Sequence, residues 1–310
     1  MNNTVNFSKE KFNTDSKIEL ALYKWEPKKI DKIVILVHGM AEHSERYNRF
    51  ASFLADKNIA VFALDLRGHG KSVLTEEYLG FFGKGITFRN IIDDICEFIT
   101  FVQSKYPDKQ TILLGHSMGS FISQGVLQQN KNNLTGCILS GTGMPNLLLA
   151  KTGKTLAWII KKIKGENHKS KFLDNMAFAN AQKKIENPQT KFDWLSRDKN
   201  EVQKYIDDPL CGFLCSASFF HELTSLNCYI QERKNINSIP KQTPILFIAG
   251  TDDPVGNYTV DIDRLIKAYQ NAGINNIVKK YYQGGRHEML NEINYQEVQN
   301  DILQWVINFK

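Results

Sequence analysis

The sequence predicts an α/β fold: a mostly parallel central sheet flanked by helices, with a helical cap insertion. Three observations carry this reading. Short apolar runs without strict alternation, each closed by turn residues, recur along the chain and read as strands buried on both faces. Helix-like segments separate them, and strand–helix–strand alternation implies parallel pairing through right-handed crossovers. The rhythm then stops between about Pro145 and Pro240, a stretch too long for one crossover. The expected organisation is therefore a sheet domain in two parts, residues 1–144 and 241–310, interrupted by a helical cap at 145–240.

In chain order, residues 5–25 alternate polar and apolar, the signature of an antiparallel edge. Ile33–Val37 is the first β-branched run, ending at His38-Gly39. Tyr47–Lys57 has helical spacing. Ala60–Leu64 ends at Asp65, before Arg67-Gly68-His69-Gly70. Ile91–Tyr106 is a second helix, and Thr111–Leu114 a strand ending at Gly115. Ser120–Leu127 has helical character, and Gly136–Leu139 ends at Ser140-Gly141. In the cap, Asp208-Pro209 predicts a helix start, Asp as N-cap and Pro in the first turn, with Leu210, Phe213, Leu214 and Ala217 at helical spacing. Pro244–Ala249 and Ile277–Tyr282 are the last two strands, ending at Gly250 and Gly284-Gly285. In such sheets chemistry gathers at the C-terminal ends of the strands.

Composition narrows the class. Of 310 residues, 42% are hydrophobic and 23% charged, both ordinary for a globular domain. With 20 glycines and 8 prolines, collagen-like and long disordered chains are excluded. The net charge is +6. Five cysteines form no CxxC pair; Cys211 and Cys215 stand i, i+4 on the expected cap helix, with no Cys or His set to complete a zinc site, and are read as packed thiols. Met1–Lys11 lacks the apolar core of a secretion signal, and no stretch of about 18 apolar residues occurs. A cytoplasmic protein with free thiols, needing no metal or organic cofactor, is expected.

Gly115-His116-Ser117-Met118-Gly119 matches G-x-S-x-G. Chance alone yields on the order of 0.1 such matches in a chain this long, so the context decides. A strand precedes the motif and a helix follows, the setting of a nucleophile elbow. The tight turn strains the serine backbone and leaves no room for side chains at the flanking glycines. A serine hydroxyl needs a base held by an acid. In this strand order the acid and then the histidine follow the serine. Of seven histidines, His287 alone follows a late strand. The acid belongs after Gly250, where Asp253 is favoured over Asp252 because Pro254 holds it extended. Backbone amides of Met118 and Met40 are the expected oxyanion donors. His38 and Gly39 read as loop-shaping, and Arg67-Gly68-His69-Gly70 as a structural turn, since it lacks the spacing of a phosphate loop.

Four segments, residues 38–47 (HGMAEHSERY), residues 65–72 (DLRGHGKS), the serine elbow and residues 250–253 (GTDD), together resemble the monoacylglycerol lipase and lysophospholipase group of α/β-hydrolases. The resemblance implies the α/β-hydrolase fold and a triad of Ser117, Asp253 and His287, with Met40 and Met118 as oxyanion donors. It also implies that Glu42 and Arg46 occupy polar positions near the alcohol end of the pocket. At i, i+4 the same two residues equally fit a helix-surface ion pair.

Function follows as an expectation: cleavage of a single-acyl lipid ester. Phe213, Leu214, Phe219 and Phe220 fit an acyl channel, and fit the cap's own core equally. The same triad would serve a short-chain esterase, an aminopeptidase or an acyltransferase, and a ligand-binding protein could retain it without turnover. Residues 151–171 carry seven lysines against one acid, around Leu156–Ile160. That pattern suits peripheral contact with an anionic lipid surface, and also a solvated cap helix with one buried face. Nucleic acid fits poorly, because no recognisable binding module accompanies the charge.

Overall fold

The computed structural model describes residues 5–309; the first four residues of the polar N-terminal stretch lie outside the described residues. Eight strands form one sheet: β1 (Asn6–Asn13), β2 (Glu19–Glu26), β3 (Lys32–Val37), β4 (Ile59–Leu64), β5 (Gln110–His116), β6 (Gly136–Ser140), β7 (Ile245–Gly250) and β8 (Ile277–Tyr282). Their order is β1-β2-β4-β3-β5-β6-β7-β8. From β4 to β8 all neighbours are parallel, whereas β1 and β2 pair antiparallel and β2 adds antiparallel to β4. Every expected strand is present, and the alternating N-terminal stretch forms the antiparallel edge.

Period two sorts the central strands into two cores. Ile33, Ile35 and Val37 of β3 face one apolar layer; Val34 and Leu36 face the other. The first layer is covered by α2 (Phe88–Lys105), α3 (Met118–Gln129) and α9 (Val260–Asn271), the second by α1 (Asn48–Ala55) and α10 (Tyr295–Ile307). Burial on both faces fails at β8, because no strand lies beyond it. Its Lys279 and Lys280 are exposed and pair with Asp263 and Asp301, the charged edge that discourages further pairing.

Between β6 and β7 the chain runs through α4 (Leu147–Lys164), α5 (Lys171–Phe178), α6 (Lys199–Asp207), α7 (Ala217–Ile230) and α8 (Arg233–Asn237). The helix expected to start at Asp208-Pro209 does not form. The Asp208 carboxylate is drawn to His43 and accepts from the Leu210 amide, making a turn, and Gly212 takes φ +62°, which ends helical continuation. Helix starts instead at Ala217, capped by Ser216. Cys211 and Cys215 therefore lie on an irregular segment. The α7 helix packs on α2 and α3, and its Phe219 and Phe220 belong to the main core.

Arg67 explains its own turn. Its guanidinium holds Asp94 in two bonds of 2.6 and 2.7 Å and also reaches Ser16, so it is unavailable to a phosphate. Burial pushes the Asp94 carboxyl up even beside this cation, the mark of a pair whose desolvation cost is not fully offset. Arg67→Met should therefore cost about 3–5 kcal/mol, read from the urea midpoint, while Arg67→Met with Asp94→Leu should recover most of the loss.

Candidate active site

Register aligns the C-terminal ends of β3, β5, β6, β7 and β8 along one sheet edge. Ser117 stands there, between β5 and α3, at φ 53°, ψ −121°. That conformation is costly for a residue with a side chain and must be over-determined by its surroundings. Its amide donates to the Ser140 carbonyl at 2.9 Å, and its carbonyl accepts from the Ser120 amide and hydroxyl at 2.8 and 2.6 Å. The flanking glycines are needed for the reason expected. A β-carbon on Gly119 would stand 2.1 Å from the Val37 carbonyl oxygen, and one on Gly115 would stand 2.3 Å from that of Gly119. The Ser117 hydroxyl has no hydrogen-bond partner among the described residues and is partly exposed.

Asp253 follows β7 and is fully buried; Asp252 is exposed. Both Asp253 carboxylate oxygens lie 3.0 Å from His287 Nδ1, and Oδ1 also accepts from the Val255 amide at 2.9 Å. With Nδ1 donating to the acid, Nε2 lies on the opposite edge of the ring, free of partners among the described residues. The ring lies tilted beside Trp194, centroids 5.0 Å apart, and beside His116, the residue before Ser117, 4.7 Å apart. His287 is buried, which disfavours its charged form. The Asp253 carboxylate, with Glu288 and Glu42 behind it, outweighs that and holds the imidazole above the usual histidine range. His116 goes the other way. Burial and the neighbouring His287 lower it to about 4, so it stays neutral.

The loop after β3 is held from both sides. His38 Nδ1 donates to the Gly39 carbonyl at 2.7 Å while Nε2 accepts from the Leu66 amide at 3.0 Å. The Gly39 amide donates to Glu42 Oε1. In a trans peptide the N–H points opposite to the carbonyl. Fixing the Gly39 carbonyl on His38 therefore turns the Met40 N–H the other way. That amide has no partner among the described residues. Neither does that of Met118, whose place at the start of α3 leaves it without an intrahelical carbonyl and at the positive end of the helix dipole. His38 and Gly39 are thus loop-shaping, as expected.

Glu42 and Arg46 form neither a surface pair nor groups free to meet a ligand. Glu42 Oε1 accepts from Tyr47 as well as Gly39, and Oε2 from Arg46 at 2.6 Å. Arg46 also holds Glu288 in two bonds of 2.8 and 2.7 Å and lies over the Tyr205 ring. Burial alone would raise the Glu42 carboxyl, but Arg46 and the nearby imidazoles hold it well below the usual carboxylate range. Trp194 carried no sequence signal; Tyr47 stood as the last residue of the 38–47 segment, and Glu288 only as the neighbour of His287.

The acyl-channel expectation is corrected in part. Phe219 and Phe220 are buried against Phe82, His69 and each other, packing rather than lining. Phe213 and Leu214 are only partly buried. Beside Met118, between Ile122, Phe82, Phe88, Glu222, Leu223 and Leu226, there is only a crevice of about 10 Å³, room for about one water and not for an acyl chain. A larger cavity of about 540 Å³ lies at the other end of the sheet, around Asn130–Thr135 and Gln242–Pro244, away from Ser117.

Residues 28–294 match the family model described as serine aminopeptidase, S33. The monoglyceride lipase homolog of Monkeypox virus is 28% identical over 305 residues, covering 96% of this chain and 97% of its own length. The mouse (Mus musculus) monoglyceride lipase is 28% identical, covering 95% and 87%. A carboxyl esterase from Bacillus coagulans, solved in complex with glycerol, superposes with a TM-score of 0.90 at 26% identity, covering 99% of each chain. The strand order, the strained serine turn after β5 and a family match over most of the length lead to one conclusion: the chain belongs to the serine aminopeptidase S33 family of α/β-hydrolases.

Proposed function

We propose that the chain is a serine hydrolase cleaving the carboxylic ester of single-acyl lipids, monoacylglycerol or lysophospholipid, through an acyl-enzyme on Ser117. The observation that carries the chemistry is the two-oxygen contact of Asp253 with His287, whose ring lies 4.7 Å from that of His116, the residue before the strained Ser117. Support for the substrate class comes from relatives named as monoglyceride lipases over nearly their whole length, and from an esterase solved with glycerol, the alcohol half of such an ester.

His287 Nε2 takes the Ser117 proton as Oγ attacks the carbonyl carbon. The oxyanion that forms is held by the amides of Met40 and Met118, with the α3 dipole behind the second. The tetrahedral species collapses, the ester C–O bond breaks, and the imidazolium delivers its proton to the departing alcohol. Water then repeats the sequence on the acyl-enzyme and releases the fatty acid. Asp253 keeps the proton on Nδ1 and stabilises the imidazolium. Glu42 and Arg46 act one step back, by holding the loop that presents the Met40 amide.

The cap, residues 145–240, is proposed to meet the lipid surface. On α4, Leu148 and Leu149 just ahead of residues 151–171, and Trp158, Ile159 and Ile163 among their lysines, are exposed, while Ala150 and Ala157 form the buried side. Among the described residues no helix is long and apolar enough to cross a membrane, so the contact would be peripheral.

Three tests follow. A panel of monoacylglycerols, lysophospholipids, nitrophenyl esters of graded length and peptide amides should show a preference for long single-acyl esters. A fluorophosphonate should label wild type but not Ser117→Ala, whose turnover falls by roughly 10³-fold or more; a preference for acetyl or peptide substrates would refute the lipid reading. The base must be neutral to act, so a raised His287 value places the acid limb of kcat/KM above pH 6.5. Glu288→Gln removes a nearby negative charge and should move that limb to lower pH. Finally, sedimentation should find tighter binding to anionic than to neutral vesicles, and reversing Lys162 and Lys164 to Glu should abolish the difference.

A further inference from the structure

His43, Asp208 and Cys211 come from two distant parts of the chain and meet beside the oxyanion loop. One ligand atom from each lies within 4.8 Å of the others. His43 Nε2 is 2.8 Å from Asp208 Oδ2. A turn closed by the Cys211 amide on the Asp208 carbonyl, at 3.0 Å, brings the carboxylate and thiol of Asp208-Pro209-Leu210-Cys211 onto one side. Imidazole, carboxylate and thiol at this separation are a zinc-type donor set. Tetrahedral coordination at 2.0–2.3 Å needs donors roughly 3–4 Å apart, a small contraction from what is present.

One further observation points the same way. His43 and Cys211 are more than nine-tenths buried, and the surrounding charge is unbalanced. Glu42, Glu288 and Asp208 are acidic, and Arg46 is the cation set among them. One cation against three anions leaves a deficit of two positive charges.

We propose that His43, Asp208 and Cys211 form a binding site for a thiophilic divalent cation, Zn²⁺ in type, next to the loop that presents the Met40 amide. The imidazole coordinates as the tautomer protonated at Nδ1, which frees Nε2 for the metal, and the cation displaces the thiol proton to solvent, since metal binding deprotonates a coordinating thiol outright. The fourth position is left to water. His43 follows Glu42 directly, and the Ala41 carbonyl accepts from both the Gly212 amide and the Tyr205 hydroxyl at 2.9 Å. Coordination therefore clamps the oxyanion loop to the segment around 208–212 and alters the set of the Met40 amide. The expected consequence is reversible inhibition that lowers kcat.

The site itself does not depend on the ester-hydrolase reading; the inhibition does, so the test has two arms. In the first, the full chain is titrated with Co²⁺ and followed by thiolate-to-cobalt absorbance. One equivalent should develop the band, and Zn²⁺ should bleach it. Cys211→Ser should lose the band, and Asp208→Asn should weaken Zn²⁺ competition by roughly tenfold or more. Absence of the band in wild type, or its persistence in Cys211→Ser, would overturn the proposal, the latter by assigning it to another thiol. In the second arm, Zn²⁺ should lower wild-type kcat at least tenfold and a chelator restore it, while Cys211→Ser keeps its metal-free rate and resists Zn²⁺. Bound Zn²⁺ with unchanged kcat would overturn the clamp.

Discussion

Arg46 is held between Glu42 at 2.6 Å and Glu288 at 2.7 Å, and through it two loops from opposite ends of the chain become one body. Glu42 fixes the Gly39 amide, and Glu288 is the neighbour of His287. Burying three charges is expensive, and such clusters often add little net stability. Here every carboxylate oxygen involved has a donor, so the cost is offset locally, and what the cluster supplies is position. The proposed oxyanion donor and the proposed base are therefore set by the same guanidinium.

The electrostatics of the site follow from that arrangement. The cluster carries one more anion than cation, and His287 feels the excess together with Asp253, so its charged form is favoured despite complete burial. His116, equally buried but facing His287 rather than a carboxylate of its own, is kept neutral. Two imidazoles with centroids 4.7 Å apart are thus shifted in opposite directions. The contrast suits a mechanism in which one ring must gain and lose a proton while its neighbour does not compete for it.

The long connection between β6 and β7 does more than cover the sheet edge. The His287 amide donates to the Trp194 carbonyl, that of Glu288 donates to the Leu195 carbonyl at 2.8 Å, and Arg286 reaches the carbonyls of Asp193 and Ser196. The loop bearing the proposed base is thereby fastened to this connection as well as to the sheet. Any rearrangement of the segment around residues 193–196 would be felt at His287, a direct mechanical route from cap to chemistry.

Local pattern was enough to read most of the scaffold. The β-branched runs ending in glycine, the helices between them and the glycines flanking Ser117 are each dictated within a few residues by sterics and hydrophobic burial, and the sequence determined them. Asp253 was distinguishable from Asp252 because Pro254 restricts its backbone. Where a residue's role depends on a partner far along the chain, the sequence was silent or misleading. Asp208-Pro209 carries the local marks of a helix start, but a bond to His43, 165 positions away, turns the carboxylate into a loop fastener. Glu42 and Arg46 have helix-pair spacing, but Glu288 draws them inward. Phe219 and Phe220 could have lined a channel until the packing of α7 on α2 and α3 put them in the core. Side-chain spacing within a turn is a property of the backbone and survives in the sequence. Charge pairing and burial across more than a hundred residues are properties of the closed tertiary structure, which alone decided them.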